Sequence, residues 1–197
     1  PWRRSSSVIE GGARDLPGNA SSPISPCYVT GMTSHAGSPW SAPSVVAGFA
    51  SSAPNQVLMR FAESELRRRA ESGARRHRAL DLGCGAGRNA VPLENLGWEV
   101  LGLDNSLAML RAAQARTGTS AGGGGLRLAL AAMDHLPVAD GTCDLVIAHG
   151  IWNLARSAAE FRGPVREASR VAAPGAALLV FTFSRHTFPA ATVPVAG

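Results

Sequence analysis

The sequence predicts an α/β fold, a doubly wound parallel sheet, on three observations. Short apolar runs of strand length alternate with helix-length amphipathic segments from residue 78 to residue 183, the pattern of repeated strand–helix units. The first run leads into Asp81-Leu82-Gly83-Cys84-Gly85-Ala86-Gly87-Arg88, where three glycines on alternate positions form a tight turn before a helix start. The second run ends at Asp104, twenty-one residues beyond Gly83. In open sheets of this kind, ligands sit above the carboxyl ends of the strands.

Residues 1–37 are rich in Ser, Pro and Gly and show no apolar periodicity, which predicts a disordered extension. The sequence opens on Pro1, and Met32 at the end of this stretch is the expected start of natural translation. Residues 38–197 are expected to form one domain, since 197 residues with 45% hydrophobic content can bury a single core. A helix begins near Ser41, with Pro43 in its first turn and Val45, Val46 and Phe49 on its apolar face. Asn55 caps a second helix that carries Val57, Leu58, Phe61 and Leu66 and ends at Gly73.

The alternation then becomes regular: strand 78–83, helix 88–96, strand 98–103, helix 105–116, a glycine-rich connector 117–125, strand 126–131, strand 143–148, helix 157–172 and strand 176–183. Pro92 falls within or just past a first turn, where few backbone donors are committed. Gly163-Pro164 is expected to kink or split the helix that holds it.

The glycine spacing constrains the ligand. A dinucleotide turn needs a glycine at the sixth position to pack helix on strand beside a pyrophosphate, and here that position is Arg88. A G-x-G-x-G turn with an acid, Asp81, two residues ahead suits a ligand with a cationic amine and no phosphate. Asp104 at the tip of the second strand can take both hydroxyls of a ribose. Each marker has a plainer reading, a sharp corner for the turn and a helix cap for the acid, but their joint spacing favours the pocket.

With these residues in place, the chain resembles the class I S-adenosylmethionine (SAM)-dependent methyltransferases, in particular their small-molecule group. Ala131-Ala132-Met133-Asp134-His135-Leu136-Pro137 is similar to that family's third-strand exit, Asp140 to His149 to its fourth strand, and Arg166 to Gly175 to the helix and turn before its fifth. The matches run in the family's order over residues 40 to 184. The resemblance implies a Rossmann-like fold with SAM as cofactor and a small-molecule acceptor. It places Gly83, Cys84, Gly85 and Gly87 around the methionine end and Asp81 at its amino group. Asp104 and Asn105 fall at the ribose, and Met133, Asp134 and His135 at the adenine.

On the acceptor side, His149-Gly150-Ile151-Trp152-Asn153 leaves the fourth strand where a methyl would be delivered. His149 is the candidate general base, its ordinary pKa near 6.5 suiting proton removal at neutral pH; its backbone can equally hold the cofactor amine. Trp152 can stack a planar acceptor or pack internally, and Asn153 can orient the acceptor or cap a helix. Trp40 and Phe49 are lid residues or core. Asp81, Asp134 and His135 keep plainer alternatives as a backbone cap, a turn start and an exposed side chain. No general base is required in principle, because the cofactor already carries an activated methyl.

Only fourteen residues follow Phe183, and none reads as the antiparallel strand pair that closes the sheet in the resembled family. The expectation is a truncated domain, or a homodimer that covers an apolar edge at Leu178-Leu179-Val180-Phe181. The net charge of +5 comes from a sequence with Arg as its only strongly basic residue and no Lys, a bias of GC-rich coding more than of phosphate contact. Arg67-Arg68-Arg69 with Arg75, Arg76 and Arg78 surrounds a helix end, where cations complement the dipole and face solvent. Nucleic-acid binding is therefore not expected. Absence of Lys removes Walker-type phosphate binding and Schiff-base chemistry. Cys27, Cys84 and Cys143 form no paired motif and no metal-ligand cluster exists. No apolar run spans a membrane, and a cytoplasmic enzyme is the expectation. Two rivals remain: a catalytically silent methyltransferase-like interaction subunit, and a NAD-dependent oxidoreductase, against which Arg88 speaks.

Overall fold

The computed structural model describes residues 28–29, 38–117 and 126–183. A six-stranded, all-parallel sheet has the strand order β1-β4-β3-β2-β5-β6. Its strands are β1 (Tyr28–Val29), β2 (Arg78–Leu82), β3 (Glu99–Asp104), β4 (Arg127–Leu130), β5 (Cys143–His149) and β6 (Ala172–Phe181). The helices are α1 (Pro43–Ser51), α2 (Gln56–Glu71), α3 (Ala90–Asn95), α4 (Leu107–Thr117) and α5 (Ala158–Val171).

Period-two alternation divides the core into two layers. Ala79, Val100, Leu145 and Ile147 face Leu58, Leu93, Leu110 and Ala113 from α2, α3 and α4. Leu80, Leu82, Leu101 and Val146 face Leu136, Val138, Trp152 and Val171 around α5. Both faces of β2, β3 and β5 are therefore buried, the condition under which parallel strands read as continuous apolar runs.

The α5 layer is fastened by one clamp. Glu167 accepts the Leu136 amide at 2.8 Å, while Arg170 reaches the Leu136 and Val138 carbonyls at 3.1 and 2.8 Å and Asp140 at 2.6 Å. The guanidinium of Arg170 beside Glu167 holds that carboxyl down at about 2.

Several expectations shift. Gly163-Pro164 does not split its helix: α5 runs from Ala158 to Val171 with Pro164 inside it and buried, so burial of the ring offsets the hydrogen bond that a proline cannot donate. The following strand starts at Ala172, not 176, through a register irregularity opposite Cys143 and Leu145. Val57 is 61% exposed, so the core face of α2 is Leu58, Met59 and Ala62. Asn55 caps α2 as expected, its Oδ1 accepting from the Leu58 amide at 3.0 Å. Within the segment expected to be disordered, Tyr28–Val29 pairs with Ala129 and Leu130. The rest of 1–37, Met32 included, the connector at 118–125 and the fourteen C-terminal residues lie outside the described residues. β6 is the terminal strand of the described sheet, with Leu178, Val180 and Phe181 exposed.

Candidate functional site

The local geometry of the glycine turn fixes the site. After β2, the chain reverses through Gly83, Gly85 and Gly87, all at positive φ (64°, 53° and 72°), where a side chain strains the backbone. The turn is tied to β3 twice: the Cys84 amide donates to the Leu103 carbonyl at 2.9 Å, and the Gly85 amide donates to Asp104 Oδ2 at 2.9 Å. Asp104 Oδ1 accepts the Ser106 amide at 2.8 Å. The Asn105 amide bears on the same carboxylate, and since two carboxylate oxygens offer about four acceptor positions, capacity is left for a ligand hydroxyl.

A cavity of about 460 Å³ opens above these strand ends, within the size range of small-molecule sites. Gly83, Gly85, Leu103, Asp104 and Asn105 line it from the β2 and β3 ends, with Met109 from α4; His149, Gly150, Ile151, Leu154, Arg156 and Glu160 from the end of β5 and the stretch after it; Ala131 and Met133 from beyond β4; and Ser38, Trp40 and Phe49 from the segment ahead of α2. Trp40 and Phe49 meet edge to face with ring centroids 6.0 Å apart.

Not every expected residue reaches this cavity. Gly87 instead makes room for α4, since a Cβ there would lie 3.1 Å from Ala113 Cβ. Cys84 is buried beneath Gly102, where a Cβ would come within 2.9 Å of its sulfur, and burial pushes its thiol pKa well up. Asp81 is buried beneath the turn with Oδ2 lacking a hydrogen-bond partner. Burial, and next the charge of Asp104, raise its pKa to about 7 against the pull of Arg88. Burial likewise raises Asp104, which amide donors from Ser106 and Gly85 oppose.

Four residues expected at the acceptor or the adenine, Trp152, Asn153, Asp134 and His135, lie off the cavity lining. Trp152 is 8% exposed and packs in the α5 core layer, edge to face with Phe161, and does not line the cavity. Asn153 is exposed and does not line the cavity. Asp134 and His135 are exposed beside each other, 3.7 Å apart, away from the cavity wall that Met133 reaches. The geometry also speaks against His149 as a general base. Its Nε2 lies 3.0 Å from Asn55 Nδ2 and its Nδ1 3.2 Å from Arg88 Nη2; a neutral ring has a single lone pair, and either neighbour can occupy it. Burial and the Arg88 charge lower its pKa, because an added proton would stand against a permanent cation. The ring also stacks on Phe181, centroids 4.5 Å apart and planes 3° from parallel.

Sequence reasoning missed Asn55 and Asn89. Asn89 Oδ1 accepts the Asn55 amide at 3.0 Å, so a two-asparagine link joins the glycine turn, the start of α2 and His149. Only the capping propensity of Asn55 was visible in sequence. Ile151, Leu154, Arg156 and Glu160 were missed too; Arg156 and Glu160 form an ion pair at 3.2 Å on the exposed rim.

A family model described as "Methyltransferase domain" matches residues 80–180, just over half of the chain. The chain is 35% identical over 113 residues to the demethylmenaquinone methyltransferase of Corynebacterium kroppenstedtii, covering 57% of this chain and 44% of that protein. It is 40% identical over 116 residues to the ubiquinone/menaquinone biosynthesis C-methyltransferase of Syntrophotalea carbinolica, covering 57% and 46%. It therefore spans less than half the length of either relative. The sugar N-methyltransferase of Streptoalloteichus sp. superposes with a TM-score of 0.54 at 22% identity over 66% of this chain and 50% of that one, a likeness of fold.

Proposed function

Since the chain belongs to the methyltransferase domain family, we propose that it binds SAM above β2 and β3 and passes the methyl group to a small-molecule acceptor entering beside Ile151 and Leu154. The observation that carries this reading is Asp104, its two oxygens fixed by the Gly85 and Ser106 amides at the cavity wall. A nucleoside ribose fits that arrangement, and the orphaned, buried Asp81 oxygen beneath the turn fits a cationic amine nearby.

The bound cofactor would supply a methyl already activated on a sulfonium. The protein's share is then to hold donor and acceptor in line and to exclude water. Asp104 orients the ribose, and Leu103, Met109, Ala131 and Met133 give the base an apolar bed. Trp40 and Phe49, which line the cavity from the segment ahead of α2, shield the cofactor from solvent. His149 braces the wall between Asn55 and Arg88 with its lone pair engaged by one of them, so proton removal falls to solvent or to an acceptor already ionised. The quinone methyltransferases among the relatives make a quinol-type ring the first acceptor class to try.

We place this activity in the cytoplasm, with no nucleic-acid partner and with a second copy of the chain covering the exposed apolar edge of β6. No helix among the described residues is long and apolar enough to cross a membrane. Light scattering that finds only monomers removes the dimer without touching the methyl-transfer reading. The methyl-transfer reading is tested by incubating the protein with methyl-labelled SAM and a panel of demethylated quinols, phenols and amines. Label in a small-molecule product supports it. Cofactor binding without transfer to any of them favours the silent interaction subunit, for which the exposed β6 edge is the motivating feature.

A further inference from the structure

At the opposite end of the sheet from the cavity, a groove of about 410 Å³ is lined by Arg69, Arg75, Arg76 and Arg78 with a single carboxylate, Asp144. The topology assembles it: α2 ends next to the loop that carries Arg75 and Arg76 into β2, and β5, which pairs with β2, brings Asp144 alongside. Four guanidiniums cannot relieve their repulsion by losing a proton, because arginine stays charged in proteins. Asp144 is already committed, its Oδ1 to Arg69 Nη2 at 2.7 Å and its Oδ2 to the Arg78 amide at 2.9 Å. Arg78 also stands 3.8 Å from Glu99. Arg75 and Arg76 are exposed and make no ion pair among the described residues. Arg69 is held in place, its Nη2 also reaching the Arg76 carbonyl at 3.2 Å, yet its Nε is buried without a hydrogen-bond partner.

The geometry points to a second binding site in this groove, for a phosphate-type anion gripped by Arg75 and Arg76 over the Arg69–Asp144 pair. Paired, planar guanidinium donors suit the oxygens of a phosphoryl group, which can accept from both arginines at once. The Gly141 and Thr142 amides are spent on the Arg170 and Val171 carbonyls, so recognition rests on side chains. The groove lies apart from the residues assigned to methyl transfer, and binding there is independent of that reaction. A free phosphate or phosphomonoester and a lipid headgroup offer the same chemistry.

The test is calorimetric titration of the full chain with inorganic phosphate at ionic strength matched by sodium chloride. It runs beside sedimentation with phosphatidylcholine vesicles containing phosphatidic acid. Wild-type protein is compared with R75A/R76A and with R67A, which removes an equal kind of charge outside the groove. The expected result is saturable phosphate binding that weakens about tenfold or more in R75A/R76A and is unchanged in R67A, with S-adenosylhomocysteine binding equal in all three. Vesicle capture lost in R75A/R76A, without uptake of inorganic phosphate, assigns the same site to a headgroup. Binding that is absent in both arms, or that falls equally in R67A and R75A/R76A, overturns the site.

Discussion

The two walls of the main cavity are built by different means. On the β2–β3 side, contacts are made or fixed by the backbone: glycines at positive φ, amides of Gly85 and Ser106 on Asp104, and the Cys84 amide on Leu103. On the β5 side, the wall is made of side chains from the end of β5 and the stretch that follows it, with His149 braced by Asn55 and Arg88 from distant parts of the chain and the Arg156–Glu160 pair on the open rim. A backbone-built wall has one working geometry, fixed by a few local residues. A side-chain wall can change its members while the fold stays. The contrast suits a constant cofactor on one side and a variable acceptor on the other.

If this contrast is sound, the largest effect belongs to Asp104→Ala, which removes the ribose acceptor and frees two amides. S-adenosylhomocysteine affinity should fall by about a hundredfold or more, the loss expected for hydrogen bonds to a charged group, measured by calorimetry. Next, Gly87→Ala should cost about 2 kcal/mol of stability from left-handed strain and crowding against Ala113, seen as a lower denaturation midpoint. Asn55→Ala should cost about 1 kcal/mol through the lost α2 cap and release His149, shifting its ring resonances upfield or downfield in NMR while cofactor affinity changes little.

A fourth test uses Asp81, whose folded pKa of about 7 stands above its ordinary 3.8. Between these values, the folded protein keeps a proton that the unfolded chain releases. This group's contribution to stability therefore declines as pH rises from about 4 to about 7 and is level above. Denaturant midpoints across this range should fall for the wild type and flatten in Asp81→Asn. The smallest effects belong to the exposed positions: Asp134→Ala should leave S-adenosylhomocysteine affinity within about twofold, since an exposed carboxylate off the cavity wall makes no desolvated contact. A larger loss would return adenine recognition to Asp134 and blur the distinction between the walls.

The backbone-built wall was legible in sequence because its requirements are local. Gly83 and Gly85 declare a turn that only glycine enters without strain, and Asp104 follows the second apolar run at a spacing that topology demands. The alternation of strand and helix likewise exposed the sheet and its layers. The side-chain wall was not legible. Asn55 and His149 lie 94 residues apart, and nothing near either announces that Nδ2 of one meets Nε2 of the other. Trp152 and Asn153 were assigned by their place after β5, but the turn that follows Gly150 buries the tryptophan and sends the asparagine to solvent. Gly87 shows a third case: its glycine was recognised, while its reason, the approach of Ala113 on α4, belongs to packing.

An adenosyl pocket at the carboxyl ends of β2 and β3 is open to one decisive measurement, calorimetric titration of the protein with S-adenosylhomocysteine and, in parallel, with NAD⁺. Such a pocket gives one saturable site for S-adenosylhomocysteine, displaced by SAM, and no binding of NAD⁺. Uptake of NAD⁺ in preference, or of neither molecule, would contradict it.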